Sequence, residues 1–233
     1  MLTAAMKYLI DSDTAKYLNV CNFHGAPATI CPKFPGTPGT SFCCPHGPPN
    51  FLPWHRLYTV QMEKILGHPM PFWDWTEVGV PILWTQIVAD GGAPIKAPVK
   101  SQCPPYGSFV TRNPNFTASY TADLKAQIYT AFMIRCDDCD DCDDYTEFLN
   151  KLQHAHNSVH NHVGCDMSTL ETAAYDPIFF LHHSFVDHCW AFWQELRHLR
   201  KQRKPVLSEY QYPLPPFNLS EYNDIQETLR SVK

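Results

Sequence analysis

The sequence predicts a mainly α protein: a helical bundle, about four core helices enclosing a dinuclear metal site, with long Pro- and Cys-rich loops around it. Three observations predict it. Apolar residues recur at helical spacing in five separate stretches. His156 and His160 stand four apart inside one of them, which places both imidazoles on one helix face, able to grip one ion. The 21 prolines and 10 cysteines gather largely between those stretches, where proline and disulfides pin irregular backbone.

The elements follow in chain order. Leu2, Ala5, Met6, Leu9, Ile10 and Leu18 space residues 2–19 as one helix. Residues 20–53, with their run of prolines and cysteines, read as a cross-linked loop. Pro53 opens a second helix at a favoured first-turn position, and Leu57, Val60, Ile65 and Leu66 carry its buried stripe. Residues 67–119 show no sustained period. A third helix is expected over 118–135, through Leu124, Ile128, Phe132 and Met133. An acidic insert with Cys136, Cys139 and Cys142 follows; it lacks a fourth ligand at zinc-finger spacing and reads as a disulfide-tied surface loop. Residues 145–162 form the fourth helix, with the histidine pair. Asp176-Pro177 caps the fifth, which runs to about Arg203. A proline-rich tail covers 205–233, with a short helix near 221–229. There is no internal repeat.

Composition bounds the class. Residues 1–233 suit a single domain with its own core, and 44% hydrophobic against 18% charged residues excludes a disordered chain. A net charge of −5 offers no basic footprint for nucleic acid. No apolar run is long enough to span a membrane. The cysteine count points to an oxidising, secreted setting, and Asn115-Phe116-Thr117 and Asn218-Leu219-Ser220 match the glycosylation pattern. The first ten residues lack a signal-peptide layout, so either a signal has been removed or this is a domain cut from a longer chain.

A lone helical histidine pair is more often core or surface than ligand; its weight comes from company. His182 and His183 offer a third imidazole at the start of the fifth helix, and His24, His46 and His55 form a second set. Two triads without a carboxylate suggest two ions held by nitrogen alone, from among copper, zinc, iron and nickel.

The motifs then match a family. They run from Asn22-Phe23-His24-Gly25 through Cys43-Cys44-Pro45-His46, Trp54-His55-Arg56-Leu57-Tyr58 and Pro71-Phe72-Trp73-Asp74-Trp75. They continue through His156-Asn157-Ser158-Val159-His160, Met167-Ser168-Thr169-Leu170 and Asp176-Pro177-Ile178-Phe179-Phe180-Leu181-His182-His183, and end near Leu214-Pro215-Pro216-Phe217. In this order over nearly the whole chain, they resemble type-3 dicopper proteins: tyrosinases, catechol oxidases and molluscan-type hemocyanins. Cys44-Pro45-His46 and the Trp-Gln-Glu-Leu run at 193–196 are most similar to the hemocyanin and molluscan tyrosinase branch.

That resemblance implies two copper ions, with O2 held between them as a bridging peroxide. Copper A falls to His24, His46 and His55 in a half spanning about 1–66, and copper B to His156, His160 and His183 in a half spanning about 144–203. His182 is then a residue that packs beside the ligands or supports one of them from behind. A thioether joins Cys44 to His46, which leaves nine cysteines and at least one without an internal partner; Cys31 with Cys43 is the favoured disulfide. Phe179 and Phe180 are candidates for the apolar wall that excludes water, with core packing as the equal alternative. Asp187 is placed to hold a ligand ring or an arginine. Asn157, with a nearby glutamate, holds a phenol-deprotonating water in tyrosinases. Here Gln153 stands three before His156 where relatives often carry Glu, and Glu147 lies nine before. An amide is not a base, so catechol oxidation is favoured over phenol hydroxylation. Asn161 marks the entrance. His188 replaces a common arginine, without an evident reason. The other histidines (His68, His154, His162 and His198) read as solvated or packed.

The implied activity is polyphenol oxidation: o-diphenols, and in some relatives monophenols, to o-quinones with O2. The alternative is a reversible O2 carrier. Relatives carry a covering domain or assemble into oligomers; the chain stops where such a cover begins, which favours the enzyme. A dinuclear zinc hydrolase is the third reading, and it would want bridging carboxylates.

Overall fold

The computed structural model describes residues 2–25, 44–47, 50–79, 112–113, 115–134 and 144–199. Among them lie six α-helices and no strand: α1 (Leu2–Ser12), α2 (Thr14–Gly25), α3 (Phe51–Leu66), α4 (Ala118–Phe132), α5 (Asp144–Val163) and α6 (Ile178–Leu199). Two 3-10 turns, Cys165–Ser168 and Ala173–Tyr175, join α5 to α6. None of the described helices is long and apolar enough to cross a membrane. The mainly α bundle is as expected; several boundaries differ.

The single helix expected over 2–19 is two. The Asp13 carbonyl accepts from Lys16 and Tyr17 at 3.0 and 3.2 Å, which starts a new helix there. The Thr14 hydroxyl turns back onto the Ile10 carbonyl at 2.6 Å. α2 then runs through Gly25, into the stretch expected as loop, and carries His24 in its last turn. α3 begins at Phe51, so Pro53 is its third residue, where the missing N–H breaks no helical bond. Gly67 ends α3 at φ +67°, its N–H on the Glu63 carbonyl at 2.8 Å. Thr117 caps α4 by accepting from the Tyr120 amide, and α4 stops at Phe132 rather than 135. α6 starts at Ile178, whose amide donates to Asp176 Oδ1 at 2.9 Å.

α3 packs on α6 and α4 on α5, while α1 covers α2 and α3. Trp54, Trp75, Trp190 and Trp193 lie fully inside, with Phe148 stacked on Trp193 at 4.4 Å. Two ion pairs fasten this core. Arg56 of α3 reaches Asp187 of α6 and lies over the Trp190 ring at 3.9 Å, so Asp187 holds an arginine and not a ligand ring. Arg112 holds Asp176 through Nε at 2.7 Å and through a second, shorter contact.

Cys21, Cys44 and Cys189 are buried free thiols, and Cys165 is disulfide-bonded. The Cys31–Cys43 pairing, the cysteines of the acidic insert, Asn218 and the tail with its 221–229 helix lie outside the described residues. Asn115 is exposed.

Candidate metal centre

Four helices or their flanks deliver six imidazoles to one place. His24 closes α2, His46 precedes α3, His55 sits in its second turn, His156 and His160 share a face of α5, and His183 lies in the second turn of α6. The ring centroids of His24, His46 and His55 are 5.8, 5.6 and 5.6 Å apart. Those of His156, His160 and His183 are 4.5, 4.8 and 5.6 Å apart. The two sets meet where His55 stacks on His183 at 4.3 Å and 7°.

Hydrogen bonds set the tautomers. His24 Nδ1 faces the Leu170 carbonyl at 2.9 Å, His55 Nδ1 the Phe51 carbonyl at 2.8 Å and His160 Nδ1 the Met167 carbonyl at 2.7 Å. A carbonyl only accepts, so each Nδ1 carries the proton and each Nε2 keeps its lone pair free. His24 Nε2 and His55 Nε2 are buried without any hydrogen-bond partner. An orphaned buried acceptor costs about 1–3 kcal/mol, and a metal ion removes that cost. His156 Nδ1 donates to Asn157 Oδ1 at 2.9 Å, and its Nε2 stands 3.3 Å from His183 Nε2. Two nitrogens about 2.0 Å from one tetrahedral ion would be about that far apart.

Burial pushes every one of these imidazoles down, and neighbouring rings push most of them further. His46 and His160 fall to about 4, and His24, His55, His156 and His183 lie well below the usual histidine range. All six are therefore neutral donors at pH 7, with no proton to displace. No carboxylate joins the ligand clusters among the described residues. Of the side chains whose donor atoms lie close enough to share an ion, one group is His156, His160, His182 and His183 and the other is His24, His46 and the Cys44 thiol. Imidazole fits copper as well as zinc, and neither group holds the bridging carboxylates that a zinc hydrolase would want.

His182, expected beside the ligands, packs directly against them, with its ring nitrogens close enough to theirs to share an ion. It is fully buried between His156 and His160, at 4.9 and 4.7 Å, and neither of its nitrogens has a partner. Cys44 Sγ lies 3.6 Å from His46 Nδ1. Gln153 accepts from the Gly47 amide at 3.0 Å and so braces the turn that carries His46. Glu147 is exposed, about 180° around α5 from His156, in a groove with Tyr129, Met133 and Lys151. The fold therefore does not bring Glu147 beside Asn157. Asn161 is exposed one residue past His160.

Phe179 wedges between the triads, 4.7 Å from His24 and 4.2 Å from His183. Phe180 turns away, onto Tyr58 at 5.4 Å. Phe51 was not anticipated. Its ring touches His55 at 4.6 Å and His156 at 4.9 Å, and its carbonyl orients His55. The signal was its place four residues before His55 on one helix.

A family model described as the common central domain of tyrosinase matches residues 14–196. The chain belongs to the tyrosinase family. Hemocyanin 2 of Megathura crenulata is 32% identical to this tyrosinase-family domain over 238 residues, covering 92% of the domain and 6% of that protein. The solved functional unit of octopus hemocyanin superposes with a TM-score of 0.66 at 28% identity, over 93% of the domain and 55% of that chain. The holo-protyrosinase of Aspergillus oryzae gives 0.60 at 19% identity, over 93% and 60%, a likeness of fold. The domain thus spans only part of each relative.

Proposed function

We propose that this domain holds two copper ions, one on His24, His46 and His55 and one on His156, His160 and His183, and uses O2 to oxidise o-diphenols to o-quinones. The observation that carries this reading is the contact of two imidazole triads, buried except for the half-buried His46, through His55 and His183. When bound, the copper pair supplies the electron transfer, in the balance of two diphenols and one O2 to two quinones and two waters. The residues do the rest. The carbonyls of Leu170, Phe51 and Met167 aim three Nε2 lone pairs inward. Phe179 keeps the space between the rings apolar, which strengthens electrostatics there and excludes water.

Diphenol oxidation is favoured over phenol hydroxylation because, among the described residues, neither Gln153 nor Glu147 offers a carboxylate beside Asn157. Gln153 is engaged with Gly47 and Glu147 faces away. Cys44 forms the thioether to His46, losing two hydrogens to O2 as oxidant; a peptide mass lower by two hydrogens reads it out. The domain is secreted, in keeping with its cysteine content.

The hemocyanin relatives favour a second reading, a reversible O2 carrier. Oxygen uptake by the copper-loaded protein tests both. Sustained uptake with a simple catechol is the expected result. No consumption, with one O2 bound reversibly per copper pair, would establish the carrier instead.

A further inference from the structure

One short segment touches both triads. Met167 and Leu170 lie three residues apart, yet the Met167 carbonyl accepts a hydrogen bond from His160 Nδ1 and the Leu170 carbonyl one from His24 Nδ1, at 2.7 and 2.9 Å. One ring belongs to each metal set, and the rings come from α5 and α2, more than a hundred residues apart in sequence.

The segment is braced on every side. It opens with Gly164 at φ +73° and Cys165 at φ +58°, the one described residue other than glycine in the left-handed region. A side chain in that region is strained and persists only where its surroundings hold it. Here the surroundings include the Cys165 disulfide. Thr172 Oγ1 donates across the segment to the Asp166 carbonyl at 2.8 Å, which folds it into a closed turn. Gly25, next to His24, lies so near that a Cβ there would stand 2.4 Å from Glu171 Cα. Tyr17 donates to the Tyr175 carbonyl at 3.1 Å and Tyr175 to Asn22 at 2.6 Å, which fastens α2 beyond the segment's end.

We propose that residues 164–172 form a single positioning element for both metal ions, anchored by the Cys165 disulfide, so that loosening the segment weakens both sites together. The proposal rests on the copper-site reading above. Its logic is mechanical. Either carbonyl alone would orient one ring, but three residues of closed turn cannot shift one carbonyl and leave the other in place. Loss of such an orienting partner typically weakens metal binding about 10- to 100-fold. Bound metal holds the same segment from the other side, so it should also slow the local opening that exposes the Cys165 disulfide to a reductant.

Two measurements test it on the intact chain. The first is chelator competition on copper-loaded protein, comparing wild type with Cys165→Ser and Thr172→Val. The valine keeps the threonine's shape and removes only the bond to Asp166, so it serves if the serine variant does not fold. His46→Ala, which removes a ligand from one triad, defines the pattern of one labile ion. The expected result is that both ions become labile in parallel, by 10- to 100-fold, with helix content unchanged. The second uses zinc, which is redox-inert and accepts imidazole. Phosphine reduction of Cys165, followed by alkylation and mass spectrometry, is expected to slow when zinc is bound. One labile ion, or none, in a folded variant overturns the proposal, as does a Cys165 reduction rate indifferent to zinc. Wild type that takes up no metal at all would instead overturn the copper-site reading beneath it.

Discussion

Asp187 and Asp176 each hold a buried arginine, but they are not equivalent. Asp187 is 32% exposed, and Arg56 keeps the Trp190 face even without it. Asp176 is 1% exposed, faces Arg112 at 7%, and also caps α6 through Ile178. Removing one partner of a buried pair costs about 3–5 kcal/mol, and a lost helix cap about 1 more. Asp187→Ala should therefore cost about 3 kcal/mol and Asp176→Ala roughly 4–6 kcal/mol in urea denaturation at fixed metal load. Equal losses would contradict this ranking. Gln153 makes a second residue-scale prediction. Its role needs an acceptor for the Gly47 amide, which glutamate also supplies. Under the proposed copper assignment, Gln153→Ala should weaken copper binding at the His24, His46 and His55 triad about tenfold, and Gln153→Glu should leave it within a few-fold. Were the glutamate variant as weak as the alanine, the brace would not be the Gly47 bond. The sequence distinguished an amide from a base at this position. It could not say what the amide does, because its partner is a main-chain N–H more than a hundred residues away.

Helices α2, α3, α5 and α6 converge through their histidines, and that convergence makes the metal-free fold sensitive to acid. His46 and His160 titrate near 4 in the folded chain, lowered by burial, against an ordinary value of about 6.5 in the unfolded chain. Between those values the unfolded state binds protons that the folded state refuses. Stability is therefore full above about pH 6.5 and is lost as pH falls toward 4, at up to about 1.4 kcal/mol per pH unit for each such imidazole. Thermal melts of metal-free protein from pH 7 to pH 4 should fall steeply through that window, and His160→Asn should flatten the fall. At this same scale, the helices with strong periodicity or capping were legible within a few residues: α3, α5 and α6 all carry them. The break at Asp13 was not, because the apolar stripe of α1 and α2 runs on across it while the backbone restarts. The end of α2 was not legible either, because the run of prolines just after Gly25 masks the helical pattern there.

Across the whole molecule, the histidines that the fold gathers were visible in the sequence as candidates, since histidine spacing on a helix is a local property. What stayed hidden were the groups that have no side-chain signature. The carbonyls of Phe51, Met167 and Leu170 fix three tautomers, and any residue type could have supplied them. His182 was hidden for another reason: its sequence position predicts packing, and only burial shows both nitrogens without partners. These orphaned nitrogens govern the last prediction. Metal-free protein carries the cost of unpartnered acceptors on His24 and His55, and under the proposed function a metal ion on each triad favours the folded chain. Occupancy at about 100 times the dissociation constant adds about 2.7 kcal/mol per site. Two sites then give about 5 kcal/mol, which for a chain of this length raises the melting temperature by roughly 10–20 °C. Calorimetry of apo and copper-loaded protein checks it. A gain of half that size, in His24→Ala and wild type alike, would mean that only the His156, His160 and His183 site binds.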